Sequence, residues 1–222
     1  TGTGSTQSIT GVGFGSAPDF VWIKNRDGTN GNQLLDIVRG ATKHLSSNTT
    51  GDESTATTGL TSFDSDGFSL GSATGVNTND DGFVAWNWKA GGSASSNTNG
   101  SITSQVSANP AAGFSIVSWT GTGAVLTAGH GLSQKPELII TKDRDGTFQW
   151  IVYNADIGAT GRLILSATNG DDITSAIFFN NTEPTSTVFT NGTYNNTNGG
   201  RNISYCFHSV DGYSKVGSYT GN

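Results

Sequence analysis

Methionine is absent from this chain of 222 residues, cysteine occurs once, proline four times, and charged residues make up only 13%. Each shortage excludes something. A lone cysteine, Cys206, forms no intrachain disulfide and falls short of a cysteine-based metal site, so between Tyr205 and Phe207 it reads as a small buried hydrophobe. With 11 Lys and Arg against 17 Asp and Glu, the net charge of -6 leaves no basic patch to neutralise phosphates. Neither nucleic acid nor an anionic membrane is therefore an expected partner. No apolar run approaches the roughly 18 residues that a spanning helix needs, and no charged-then-apolar leader stands at the start. The strong helix formers Leu, Glu, Lys and Gln are scarce. A start at Thr1 with no Met reads as a processed or trimmed segment.

What fills the chain is Gly, at 32 residues, with Thr, Ser and Asn, and aromatic clusters drawn from 5 Trp, 11 Phe and 5 Tyr. Thr and aromatic residues favour strands, while Asp27-Gly28, Asp66-Gly67, Asp81-Gly82, Asp145-Gly146, Asn169-Gly170 and Asn191-Gly192 mark tight turns. Strands are expected at Phe20 to Lys24, Gln33 to Val38, Phe83 to Trp88, Phe114 to Trp119, Leu138 to Lys142, Phe148 to Tyr153, Arg162 to Ser166, Ala176 to Phe179 and Asn202 to Phe207. In the third of these Val84, Trp86 and Trp88 share a face and read as core. The class is all-β, and the spacing reads as a β-sandwich.

The chain repeats itself. Thr1-Gly2-Thr3-Gly4 recurs as Thr120-Gly121-Thr122-Gly123, and Gly11-Val12-Gly13-Phe14 as Gly129-His130-Gly131-Leu132. Proline, acid, apolar run and Lys-x-Arg-Asp-Gly follow twice, from Pro18 to Gly28 and from Pro136 to Gly146. Gly82 to Trp88 then faces Asn202 to His208, and Gly113 to Gly121 is echoed by Gly212 to Gly221. The expected division is a first sandwich at 1–92 lacking the strand before Thr1, a Gly/Ser/Asn linker at 93–100, and a second sandwich at 101–222. Residues 212–222 read as the start of a third copy, so the ends cut a longer array.

The residues Gly100-Ser101-Ile102, Val106-Ser107-Ala108-Asn109, Ala112 to Val117, Gly129 to Leu132 and the closing Asp211 to Asn222 resemble a largely uncharacterised repeat family in virion proteins of tailed phages. The resemblance implies two tandem jelly-roll-like, concanavalin-like or laminin-G-like sandwiches, and it brings no catalytic residues. It implies an extracellular or virion-surface module of a tail fibre or decoration protein, a homo-oligomer with other virion subunits as partners and host surface glycans as ligands. The alternative is a carbohydrate-binding or adhesin repeat of a secreted bacterial protein. One departure is an insertion-like stretch from Asn48 to Thr61 in the first copy.

No enzyme is expected. A glycosidase needs two carboxylates across one cleft, and the only glutamates, Glu53, Glu137 and Glu183, are scattered, with Glu137 at a strand start like Asp19 and read as a solubilising or turn residue. His44, His130 and His208 accompany no nucleophile motif, and Gly11 to Gly15 is no dinucleotide loop. No metal site is assigned; were calcium bound, its oxygen ligands would be Asp64, Asp66, Asp80 and Asp81. Sugar binding would use Trp22, Trp150 or Tyr153, although each lies in an apolar strand where packing explains it. Lys24 to Asp27 and Lys142 to Asp145 read as solvated strand ends with local ion pairing.

Overall fold

A computed structural model describes residues 1–168, 172–173 and 175–221, so the expected turn at Asn169-Gly170 lies outside the described residues. The first half contains β1 (Gln7–Thr10), β2 (Phe20–Asn25), β3 (Gln33–Asp36), β4 (Lys43–Ser46), β5 (Ser54–Thr55), β6 (Leu60–Asp64), β7 (Gly67–Leu70), the one-turn helix α1 (Thr74–Asn77) and β8 (Phe83–Trp88). There follow β9 (Ser95–Asn97), β10 (Ser104–Asn109), β11 (Phe114–Thr120), β12 (Leu126–Gly129), β13 (Leu138–Asp143), β14 (Ile151–Asn154), β15 (Gly161–Ile164) and β16 (Asp172–Ile173). The one-turn helix α2 (Ala176–Phe179), β17 (Val188–Asn191) and β18 (Arg201–Phe207) complete the order.

The protein is all-β, with antiparallel pairing throughout its sheets. A five-stranded sheet runs β5-β4-β3-β2-β8, and an eight-stranded sheet runs β16-β15-β14-β13-β18-β11-β10-β9. Its first five strands repeat the topology of the smaller sheet, and β11, β10 and β9 extend it. Smaller sheets, β1-β7-β6 and β12-β17, cover the outer faces.

Alternation along the strands builds three cores from this stack. On β2, Val21 and Ile23 meet Phe68 and Leu70 of the three-stranded sheet. Phe20 and Trp22 face the other way, toward Phe114, Ile203 and Tyr205 of the eight-stranded sheet. On the far side of that sheet Val117, Trp119, Ile139 and Cys206 pack against Leu126, Ala128 and Phe189. The order of layers is thus three-, five-, eight- and two-stranded.

Three local expectations are corrected. Ala176 to Phe179 is helical, because Ser175 Oγ accepts from the Ile177 N–H and Asn180, at φ 51°, caps the turn by donating its N–H to Ala176 O. Residues 95–97, inside the stretch expected as a linker, form β9 and pair with β10. Cross-strand register sets Trp88 opposite Phe20 and Phe207 opposite Leu138, so Trp88 matches Phe207 and not His208. The one-residue difference matters because it decides which face of each strand is buried.

Candidate functional site

The repeated motifs act first as clamps, twice over. Gly2 and Gly121 are pressed so closely against the carbonyls of Thr78 and Thr197 that a Cβ would stand 2.1 and 2.2 Å from those oxygens. Asn77 and Asn196, both buried, close the loop beside them. Each side-chain oxygen accepts from Thr3 N or Thr122 N at 2.8 Å, and each amide donates to two main-chain carbonyls, Ser5 and Gly71 or Ala124 and Gly192.

The Lys-x-Arg-Asp-Gly stretch is a buckle. Asn25 Oδ1 and Asp143 Oδ1 each accept the next two turn N–H groups at 2.8–2.9 Å. Lys24 and Lys142 donate to carbonyls of the same turns. Asp27 and Asp145 accept the main-chain N–H of Gly82 and Arg201. The expected ion pairing is present between Asp145 and Arg201, and Arg26, Asp27 and Asp145 are exposed as a solvated strand end would be, but Asn25, Lys142 and Asp143 are corrected, being buried. Burial lowers the Lys142 ammonium to about 8, against the opposing pull of Asp143. Asp19 and Glu137 are likewise not solubilising residues: Asp19 is buried and accepts from Ala90 N, Gly92 N and Lys89, while Glu137 holds Ser209 through its N–H and hydroxyl.

A charged knot ties the two copies together, and nothing in the motif spacing announces it. The buried Arg39 guanidinium donates to Asp36 Oδ2 at 2.6 Å, Leu34 O at 2.8 Å, Tyr205 Oη at 3.1 Å and Glu53 Oε2 at 3.3 Å. Tyr205 donates to Asp36 at 2.8 Å. Glu53, from the stretch read as an insertion, receives Arg144 through both oxygens at 2.8 and 2.9 Å. Burial alone would raise the Glu53 carboxyl, but hydrogen bonds and charge from Arg144 and Arg39 hold it below the usual range. Burial also lifts the Tyr205 hydroxyl well above its ordinary value, so it stays a donor.

Between the five- and eight-stranded sheets lies a cleft of about 560 Å³ walled by Phe20, Trp22, Trp88, Phe114, Tyr205 and Phe207. Phe20 stacks on Tyr205 at 4.3 Å and on Trp88 at 5.0 Å. Trp22 meets Trp86 edge to face at 6.2 Å, and Trp86, expected in the core, is 47% exposed because its strand lies at the sheet edge. Two polar atoms of the lining are buried without a hydrogen-bond partner, Trp22 Nε1 and His208 Nε2. His208 Nδ1 lies 2.8 Å from Ser209 O, which only accepts, so in the neutral ring Nδ1 donates and Nε2 is left with a lone pair.

The other sugar-binding candidates are placed elsewhere. Trp150 is fully buried and donates to Ser46 O of the first copy at 2.9 Å. Tyr153 is fully buried, with its hydroxyl on Glu183. Neither presents a face to solvent, because apolar packing on both sides encloses their strand. The aspartates considered for calcium are dispersed among hairpins. Asp64 accepts from Ser62 and Ser69 hydroxyls, Asp66 from Gly11 and Gly13 N–H, Asp80 from Asn79, and Asp81 from Asn25. No group of three or more His, Cys, Asp or Glu side chains able to hold a metal occurs among the described residues. No described helix is long and apolar enough to cross a membrane.

Fold and site together define an all-β protein of duplicated sheets joined through a buried charged knot, with an aromatic cleft between them. Comparison with family models matches residues 1–222 to the family described as Domain of unknown function (DUF7483), and the chain belongs to that family. No curated protein and no solved structure matches it.

Proposed function

We propose that the chain is a non-catalytic structural and adhesive module of a tail-fibre or virion-surface protein, acting outside the cell, whose aromatic cleft binds host surface glycans. The observation that carries this reading is the pairing of an unmatched indole N–H on Trp22 with an unmatched imidazole lone pair on His208 in one aromatic-walled cleft. A sugar offers what both lack, with a hydroxyl that accepts from the indole, a hydroxyl that donates to the imidazole, and an apolar face for the rings. The non-catalytic part is supported by the glutamates, each already engaged: Glu53 by arginines, Glu137 by Ser209, and Glu183 by Lys135, Tyr153 and Ala159 N. The same reading takes the layers as two tandem sandwiches, each of one large and one small sheet, stacked through the middle core.

The test is a glycan array followed by whole-cell binding, with and without calcium. Saturable, sugar-competed binding is expected. Trp22→Phe, which keeps a ring and deletes the N–H, weakens it about 5- to 10-fold, the size of one hydrogen bond. Absence of binding at high micromolar protein would overturn the adhesive reading, and a calcium requirement would return the hairpin aspartates to consideration.

A further inference from the structure

Matching hydrogen bonds show, residue by residue, where the two copies carry different side chains at one place. In the first copy Gly71 N donates to Gly59 O and Ala73 N to Thr58 O; in the second, Gly192 N donates to Phe178 O and Tyr194 N to Ile177 O. Gly59 and Ala73 therefore stand where Phe178 and Tyr194 stand. Strand pairing makes His44 the counterpart of Arg162, because Leu34 faces Leu45 as its match Val152 faces Leu163.

In the second copy this place is full. The Phe178 ring lies under the Arg162 guanidinium at 3.8 Å and beside the Tyr194 ring at 5.0 Å. In the first copy a glycine, an alanine and a histidine leave a cavity of about 240 Å³ instead. Gln33 and Leu35 of β3, His44 of β4, Leu60 of β6 and Thr74 and Val76 of α1 line it.

Size and polarity limit what fits. An apolar cavity of roughly 150 Å³ already admits benzene, and the walls Leu35, Leu60 and Val76 are aliphatic and buried. One polar atom interrupts them: His44 Nδ1 is buried with no hydrogen-bond partner. Gln33 and Thr74 reach solvent. Burial, with the charge of Arg39, holds the His44 imidazole below its usual range against the pull of Glu53, so the ring is neutral at pH 7. A neutral imidazole nitrogen either donates or accepts, and a hydroxyl answers both. A pyranose would bring hydroxyls on nearly every carbon to walls with a single buried polar atom, whereas a phenol brings one. We propose that this cavity binds a phenolic ring, which fills the space that Phe178 and Tyr194 fill in the second copy and sets its hydroxyl on His44 Nδ1. The ring belongs to a free phenol or to the tyrosine side chain of a partner. The site is separate from the aromatic cleft and does not depend on glycan binding there.

The test follows the backbone amides of the isotope-labelled full chain by NMR during titration with p-cresol, standing for a free phenol, and with N-acetyltyrosine amide, standing for a side chain. Saturable shifts at His44, Gly59 and Gly75 are expected with p-cresol. The same shifts with the tyrosine amide assign the ring to a partner's side chain, and their restriction to p-cresol assigns it to a free phenol. Toluene, which lacks the hydroxyl, should bind about 5- to 10-fold more weakly, and His44→Phe should erase that preference. Ala73→Tyr, which gives the first copy a ring of the second, should abolish binding. No shifts at millimolar p-cresol, or shifts confined to cleft residues such as Trp22 and His208, overturn the proposal. Toluene binding as tightly as p-cresol to the wild type, or a methyl pyranoside shifting the same amides in preference to it, overturns the phenolic class.

Discussion

At the scale of single residues, the polar side chains of this protein are mostly instruments of folding, and burial sets their chemistry. His130 is fully buried, with Nε2 3.2 Å from Thr185 O and Nδ1 accepting from Leu132 N. Burial, chiefly, and the neighbouring His208 lower its imidazole to about 4, despite the Thr185 contact. The unfolded chain therefore binds a proton near pH 6.5 that the folded one refuses until about 4, and stability falls as pH drops through that window. The loss is on the order of 3 kcal/mol by pH 4. Urea midpoints measured from pH 7 to 4 should show this slope, and His130→Asn should flatten it. An unchanged slope in the variant would assign the effect elsewhere. None of this was readable beforehand: a histidine between two glycines is legible as a turn, and its burial depends on β17 crossing above it.

At the scale of elements, duplication of sequence is duplication of hydrogen bonds. The Thr-Gly-Thr-Gly signature repeats because each copy needs a glycine against a carbonyl and a loop N–H aimed at a buried asparagine. Asn77→Ala and Asn196→Ala should each cost about 2–4 kcal/mol, since each strands a main-chain donor and two carbonyls. Denaturant melts of the two variants should agree closely, and a neutral Asn77→Ala beside a costly Asn196→Ala would show that the clamps are not equivalent. Strand patterns were legible wherever alternation was strong, as along β2, β8, β13 and β18. Legibility failed at Ala176 to Phe179, where an apolar run of strand character is turned into a helix by a Ser175 cap and the left-handed Asn180. It failed again at 95–97, where polar residues form an edge strand because β10 offers them unpaired main-chain groups.

At the scale of the molecule, the two copies form one body. The middle core draws Phe20 and Leu34 from the first copy and Trp150, Ile203 and Tyr205 from the second, and the Arg39–Glu53–Arg144 knot lies across the same boundary. Unfolding should accordingly be a single transition, coincident by tryptophan fluorescence and far-ultraviolet dichroism; two separated transitions would mean that the copies are independent. Glu53→Gln should lower stability by about 3–5 kcal/mol, because it leaves buried arginine charge uncompensated. The sequence by itself determined the all-β class, the duplication and most strand positions, since glycine, asparagine and alternating apolar residues act over a few neighbours. Tertiary structure alone decided which sheet Trp150 packs against, that Trp22 and His208 share a cleft, and that Glu53 bridges the copies. Those outcomes depend on which sheet face meets which, and residues more than a hundred positions apart, such as Ser46 and Trp150, meet only when the sheets are stacked.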